Sequence, residues 1–148
     1  MAKNLYDFVL DCSITMAWCF EDESTDYTDN ILENLKQATA IVPTIWSLEV
    51  ANVLLLSKKN KKITEVQSAS FIDALSALPI VVDQSTTSRA MHSIFVLAGQ
   101  SDLTIYDAAY LELAAREGIP LLTLDKKLIK AAKKLGIPVD PKANKNLP

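Results

Sequence analysis

The stretch that decides the fold is Thr104-Ile105-Tyr106-Asp107-Ala108-Ala109-Tyr110-Leu111-Glu112-Leu113-Ala114-Ala115-Arg116-Glu117-Gly118-Ile119-Pro120-Leu121-Leu122-Thr123-Leu124-Asp125. It reads as helix, turn, short strand and acid. Thr104 is placed to cap a helix start, with Asp107 three residues on as in a capping box. The Ala, Leu and Glu residues that follow favour helix. Gly118 supplies the stop and Pro120 enforces it. Leu121 to Leu124 is a short apolar run suited to a buried strand, and Asp125 stands where that run ends. One carboxylate therefore starts a helix and another ends the adjoining strand. In an open parallel sheet, strand ends and helix starts gather at one edge, where ligands bind.

The same alternation extends outward. Phe8-Val9-Leu10 reads as a strand ending at Asp11, with Ser13 set to cap a helical piece over 14–20. Ser24-Thr25-Asp26 opens a second helix striped by Ile31, Leu32 and Leu35. Ala40-Ile41-Val42 is the next strand, stopped by Pro43, and Thr44 caps a helix to about residue 59. Thr64 and Val66 begin another, with Phe71, Ile72, Leu75 and Leu78 on one side. Pro79 breaks it, and Ile80-Val81-Val82 is the third strand. Residues 86–97 read as helix, with Met91, Ile94, Phe95 and Ala98 at helical spacing and Gly99 as the stop. After the deciding stretch, Asp125 caps a helix with Leu128, Ile129, Ala132 and Leu135 inward, stopped by Gly136. Ile137-Pro138-Val139 suits a short edge strand, where proline is tolerated. Strands alternating with helices predict an α/β domain. Its central sheet is mostly parallel, with four to five short strands and helices on both faces. No repeat or linker divides the chain, so residues 1–140 form one domain and the polar 141–148 fray.

Composition narrows the classes. A chain of 148 residues suits one domain, and roughly 68–70% of its unfolded surface can be buried, so folding needs neither disulfide nor metal. No apolar run approaches the length of a membrane span. Asp7 and Asp11 among the first apolar residues argue against a signal peptide, leaving the cytoplasm as the default. Cys12 and Cys19 make neither a metal-ligand spacing nor a disulfide framework. With His92 as the one histidine, zinc is disfavoured, and His92 reads as an ordinary helix-face residue. A net charge of −3 and a pI near 5.1 weigh against gripping nucleic acid through a global basic surface. The lysines are nevertheless clustered, at Lys58, Lys59, Lys61 and Lys62 and again at Lys126, Lys127, Lys130, Lys133 and Lys134.

Four acids carry the chemistry. Asp11, Asp107 and Asp125 each have a structural explanation as helix caps, worth about 1 kcal/mol apiece. Glu49 does not. Its helix, Ile45-Trp46-Ser47-Leu48-Glu49-Val50-Ala51-Asn52-Val53-Leu54-Leu55-Leu56, is apolar nearly all round and is expected to be mostly buried. Asn52 shares the face of Glu49. A buried carboxylate needs a partner or a metal, and no lysine or arginine lies within a helical turn. It takes either a partner from elsewhere in the fold or an ion. If the four acids converge at the sheet edge, two charges about 4 Å apart repel by roughly 4 kcal/mol at an effective dielectric of 20, and a cation is needed. Oxygen ligands without imidazole or thiolate select Mg²⁺ or Mn²⁺, and such sites commonly act on phosphates. Lys126 and Lys127, in the first turn of the last helix, oppose the macrodipole. They read either as a solvated face or as a steering patch for a polyanion.

Four motifs follow one another along the chain: Val9-Leu10-Asp11-Cys12-Ser13; Val42-Pro43 through Trp46, Glu49, Val50, Asn52 and Leu54; Thr104-Ile105-Tyr106-Asp107-Ala108-Ala109-Tyr110; and Leu122-Thr123-Leu124-Asp125. In this order, over about residues 6 to 140, they resemble the PIN-domain ribonucleases. The nearest likeness is to the VapC toxins of bacterial type II toxin–antitoxin pairs. The first looks like the family's Asp-x-Ser motif after strand one, with Cys12 as the small residue between. The last is similar to its Thr-x-Asp motif. The resemblance implies a PIN-like three-layer domain and metal bound by Asp11, Glu49, Asp107 and Asp125. Ser13, Thr104 and Thr123 would orient the carboxylates or hold water. It also implies RNA cleavage leaving a 5′-phosphate, dimerisation, and inhibition by a small cognate antitoxin.

Three functional readings follow. The first is a Mg²⁺- or Mn²⁺-dependent endoribonuclease working through activated water; no Ser–His or Cys–His pair suggests a side-chain nucleophile. The second is a haloacid-dehalogenase-like phosphatase with Asp11 as nucleophile, but its second acid would fall at Ser13. The third is a non-catalytic module that binds RNA or protein. The apolar helices over 45–56 and 66–78 offer more hydrophobic surface than one small core needs, which suits a dimer seam or an antitoxin groove.

Overall fold

A computed structural model describes residues 4–140; the tail at 141–148, expected to fray, lies outside the described residues. Four strands, β1 (Phe8–Leu10), β2 (Ala40–Val42), β3 (Ile80–Val82) and β4 (Leu121–Leu122), form one parallel sheet in the order β3-β2-β1-β4. β1, β2 and β4 are uninterrupted buried apolar runs, as expected where both sheet faces are covered. β3 and β4 are the two edges, and β3 is only partly buried. The chain steps from β1 to β2 to β3 on one side, then crosses to add β4 on the other. The strand order therefore reverses between β1 and β4, and in open α/β sheets the ligand-binding crevice lies beyond the strand ends at such a point.

Helices α1 (Cys12–Cys19), α2 (Asp26–Asn34), α3 (Ile45–Lys59) and α4 (Glu65–Ser76) occupy the first half. The second half holds α5 (Thr86–Arg89), a π turn (Ala90–Ile94), α6 (Phe95–Ser101), α7 (Ile105–Glu117) and α8 (Lys126–Lys134). The middle of α7 is buried on every side, Ala108 to Ala114 without interruption. Gly118 ends it at φ +68°, a left-handed turn that glycine adopts without strain.

Several details depart from the sequence reading. Asp11 rather than Ser13 caps α1, which starts at Cys12. Thr44 precedes α3 without capping it; its hydroxyl donates to the Asp83 carbonyl instead. α3 is not buried all round: Trp46, Val50 and Leu54 form a narrow inward stripe, while Leu48 is 71% exposed. The helix over 86–97 passes Gly99 to Ser101 and is broken by the π turn, whose His92 leaves helical geometry at φ −126° and ψ −105°. The register slip turns Met91 and Phe95 outward while Ile94 and Ala98 stay buried. His92 thus sits at a kink and not on a regular helix face. Leu135 lies past the end of α8 and is exposed. Ile137 to Val139 forms no strand. Pro138 accepts one bond from the Leu121 amide, 2.9 Å, and has no N–H with which to continue a ladder. β4 stops at Leu122 because the amides of Leu124 and Asp125 bond to hydroxyls rather than to a neighbouring strand.

A buried ion cluster fixes α7 against β3 and α5. Glu112, 6% exposed, accepts from Arg89, Ser93 and Arg116. Arg116 also reaches Asp83 at 2.9 Å. Burial works against the Asp83 carboxylate, but the hydrogen bond and charge of Arg116 outweigh it and hold its pKa below the ordinary value. Removing one partner of a buried pair strands the other, so Arg116→Ala is expected to cost about 3 kcal/mol or more. Urea denaturation should show it as a lowered midpoint. Lys36→Ala, at an exposed pair, should move that midpoint by under ~1 kcal/mol.

Candidate active site

The crevice between the ends of β1 and β4 is built from Asp11 outward. Asp11 follows β1 and is 7% exposed. Its Oδ2 accepts from the Ser13 hydroxyl at 2.6 Å, the Thr123 hydroxyl at 2.7 Å and the Ser13 amide at 3.4 Å. Each hydroxyl also accepts a backbone amide from the segment after β4: Leu124 N donates to Ser13 Oγ at 2.9 Å, and Asp125 N to Thr123 Oγ1 at 3.0 Å. The start of α1 and the end of β4 are therefore stitched together through one carboxylate oxygen. Asp125 caps α8, its Oδ1 accepting from the amides of Lys127 and Leu128. The capping explanation thus holds for both Asp11 and Asp125.

Glu49 is half-buried on α3. α3 is held to α1 by a buried bond from the Trp46 indole to the Thr15 hydroxyl, 3.0 Å. The Glu49 Oε1 accepts the hydroxyl proton of Tyr110 from α7. The structural partner left open by the sequence is this tyrosine. Asp107 lies in the first turn of α7, where Thr104 caps the helix by accepting its amide at 3.1 Å.

The acids feel one another. Burial raises the Asp11 pKa, bonds from Ser13 and Thr123 pull it back, and the Asp125 charge raises it further. Glu49 is raised by burial, lowered by Tyr110, and raised again by Asp11 and Asp107. Asp107 is raised by burial and by Asp125 and Asp11, against a lowering by Thr104 and Lys127. Cys12 is drawn into the same field: burial and then the charges of Glu49 and Asp11 push its thiol up to about 12. Among the described residues none of the four acids has a lysine or arginine within ion-pair distance. Nor do any three His, Cys, Asp or Glu side chains form a group arranged to hold a metal ion. Asp11, Glu49 and Asp107 each lie near enough to another carboxylate for its charge to raise their pKa. Their donor chemistry is oxygen only and, among the described residues, without an ion-paired cation, which fits a hard divalent ion.

The remaining expected residues divide. Ser13, Thr104 and Thr123 are hydrogen-bonded within the site as described. Asn52 is exposed and makes no hydrogen bond to the acids. Lys126 and Lys127 are exposed on the first turn of α8, and the charge of Lys127 reaches Asp107. Tyr110 is the residue that sequence reasoning missed. Its signal was its place three residues after Asp107, one turn along the same helix face.

Comparison with known proteins bears on this arrangement. The PIN domain family matches residues 8–134, from the first residue of β1 to the last of α8. Ribonuclease VapC1 of Mycobacterium tuberculosis is 30% identical over 108 residues, covering 73% of this chain and 77% of the relative. Ribonuclease VapC3 of Pyrobaculum aerophilum is 25% identical over 120 residues, 81% of this chain and 90% of the relative. Among solved structures, PAE2754 from Pyrobaculum aerophilum superposes with a TM-score of 0.65 at 19% identity, covering 97% of this chain and 94% of that one. A chain of VapBC2 from Rickettsia felis, crystallised with a DNA fragment from its promoter, gives 0.62 at 19% identity, with 90% and 96% covered. At these identities the structures establish the fold.

An acid whose pKa is raised by folding destabilises the ionised folded state. That penalty is full above the raised pKa and fades as pH falls to the ordinary carboxylate range near ~4. Asp107→Asn removes one such charge. In EDTA its melting temperature should exceed that of the parent by about 1–4 °C at neutral pH. The difference should shrink as the pH is lowered, read by differential scanning fluorimetry.

Proposed function

The chain belongs to the PIN-domain family, and on that footing we propose that it is a Mg²⁺- or Mn²⁺-dependent endoribonuclease, the toxin of a toxin–antitoxin pair. One observation carries the reading. Asp11, Glu49 and Asp125 each spend one oxygen on neutral protein donors, and among the described residues the second oxygen of each has no hydrogen-bond partner. Scaffold carboxylates in the same chain, Glu112 and Asp83, are instead neutralised by arginines.

In this reading Asp11, Glu49, Asp107 and Asp125 hold the ion. A bound divalent ion supplies Lewis-acid stabilisation and a lowered pKa for water during phosphodiester hydrolysis. Ser13 and Thr123 fix the Asp11 carboxylate, Thr104 sets the start of α7 that presents Asp107, and Lys126 and Lys127 draw the RNA backbone to this edge. No side-chain nucleophile is required. The Cys12 thiol, pushed up to about 12, is neutral at physiological pH. A phosphatase of the haloacid-dehalogenase type lacks its second acid, since Ser13 stands there and donates to Asp11. A non-catalytic binding module draws on one observation, that Asp11 and Asp125 already serve as helix caps.

The partners follow from surface chemistry. An apolar cavity of about 290 Å³, lined by Trp46, Val50, Leu54, Ile72, Leu75 and Ile80, lies among α3, α4 and β3. It suits an apolar segment of an antitoxin. Exposed Leu48, Leu55, Leu56 and Val66 on the same two helices add surface for a homodimer. Among the described residues no helix is long and apolar enough to cross a membrane.

Purified protein should cut RNA with Mg²⁺ or Mn²⁺ and stop with EDTA. Asp107→Asn should lose more than the ~10–100-fold typical of a change behind the ligands. Cleavage that survives both changes rules out the metal reading. Replacing Lys126 and Lys127 by glutamate should slow cleavage most at low ionic strength. The gap should narrow as salt screens the steering, read from initial rates across a salt series.

A further inference from the structure

We infer that Tyr110 is a positioning residue for metal binding: its buried hydroxyl holds Glu49 by one oxygen and leaves the other to the ion. This rests on the metal-dependent reading above. Tyr110 is fully buried in the core of α7, and Asp107 precedes it by one turn, so one helix face carries both an acid of the site and the clamp for another. The clamp reaches across to α3, 61 residues earlier in the chain. It aligns the two helices that contribute Glu49 and Asp107.

The chemistry of the donor is the point. A lysine or arginine in this place would fix Glu49 equally well but would cancel its charge and compete with a cation. A phenol donates one hydrogen bond and leaves the carboxylate's full negative charge. The same helix shows the contrast. Two residues after Tyr110, Glu112 is held by Arg89 and Arg116, and there the charge is consumed in the scaffold. α7 thus carries a neutral clamp toward the crevice and a cationic clamp away from it. A hydroxyl standing behind a ligating carboxylate matches the outer-shell partners that tune metal affinity.

The test is Mn²⁺ binding to the full chain, followed by electron paramagnetic resonance, in the parent, Tyr110→Phe, Glu49→Gln and the double variant. Tyr110→Phe keeps the ring and its packing and removes one oxygen; Glu49→Gln probes the same pair from the other side. Mn²⁺ affinity should fall about 10–100-fold in Tyr110→Phe. The double variant should bind no more weakly than Glu49→Gln, because the hydroxyl acts through Glu49. With RNA, kcat should fall and KM stay near the parent value. Parental Mn²⁺ affinity in Tyr110→Phe, whatever its melting temperature, overturns the inference and leaves the nuclease reading standing. So does a loss in the double variant that adds to that of Glu49→Gln. A parent that binds no Mn²⁺ removes both.

Discussion

Everything at the crevice depends on a single carboxylate oxygen, Asp11 Oδ2, which accepts the hydroxyls of Ser13 and Thr123 at once. The strands are two or three residues long, too short for their ladders alone to set the geometry beyond their ends. The hydroxyls extend that order. Each donates to Asp11 and accepts an amide from the segment after β4, so both hydroxyls and both amides at the junction are satisfied. The same bonds cap α1 and fix where Asp125 starts α8. Fold and site share these atoms.

The second constraint is repulsion. Asp11, Glu49 and Asp107 all have raised pKa values, each by burial first and by its acidic neighbours next. The chain tolerates this by supplying neutral donors: Ser13, Thr123, Tyr110 and Thr104. Strain of this kind is a recurrent property of functional sites, sustained because the surrounding structure over-determines it. The surroundings here are firm. α7 is buried through its middle and tied by Arg116 to β3 and by Tyr110 to α3.

Much of this was legible in the residues. The runs Phe8 to Leu10 and Ala40 to Val42 are legible because a strand buried in a parallel sheet is apolar throughout, Ile80 to Val82 is an apolar run although it lies partly exposed at the edge, and Pro43 and Pro79 mark where two of the segments break. Thr104 and Gly118 bound α7 as their chemistry dictates. The failures are equally physical. α3 looked buried because leucines fill both its faces, yet periodicity cannot tell a core face from one reserved for a partner. The π turn at Ala90–Ile94 left no mark in the spacing, and the bonds that flank it, from Arg89 and Ser93 to Glu112, join segments distant in sequence. Asp11 and not Ser13 is the cap because α1 starts at Cys12, which places Ser13 inside the first turn, where its hydroxyl accepts from Leu124, 111 residues away. The four acids were found because carboxylates at strand ends are conspicuous; the tyrosine was not, because a Tyr in an apolar helix looks like packing.

The strand order has a consequence in time. β4 pairs with β1, the first of the described strands, and the Asp11–Thr123 bond spans 112 positions. A nascent chain that has emerged only to Gly118 already carries Asp11, Glu49, Asp107 and the tyrosine clamp. It still lacks the strand that closes the crevice and the acid that follows it. The site is therefore completed only once Thr123 and Asp125 have emerged, more than a hundred positions after Asp11. Prematurely terminated products are born without it.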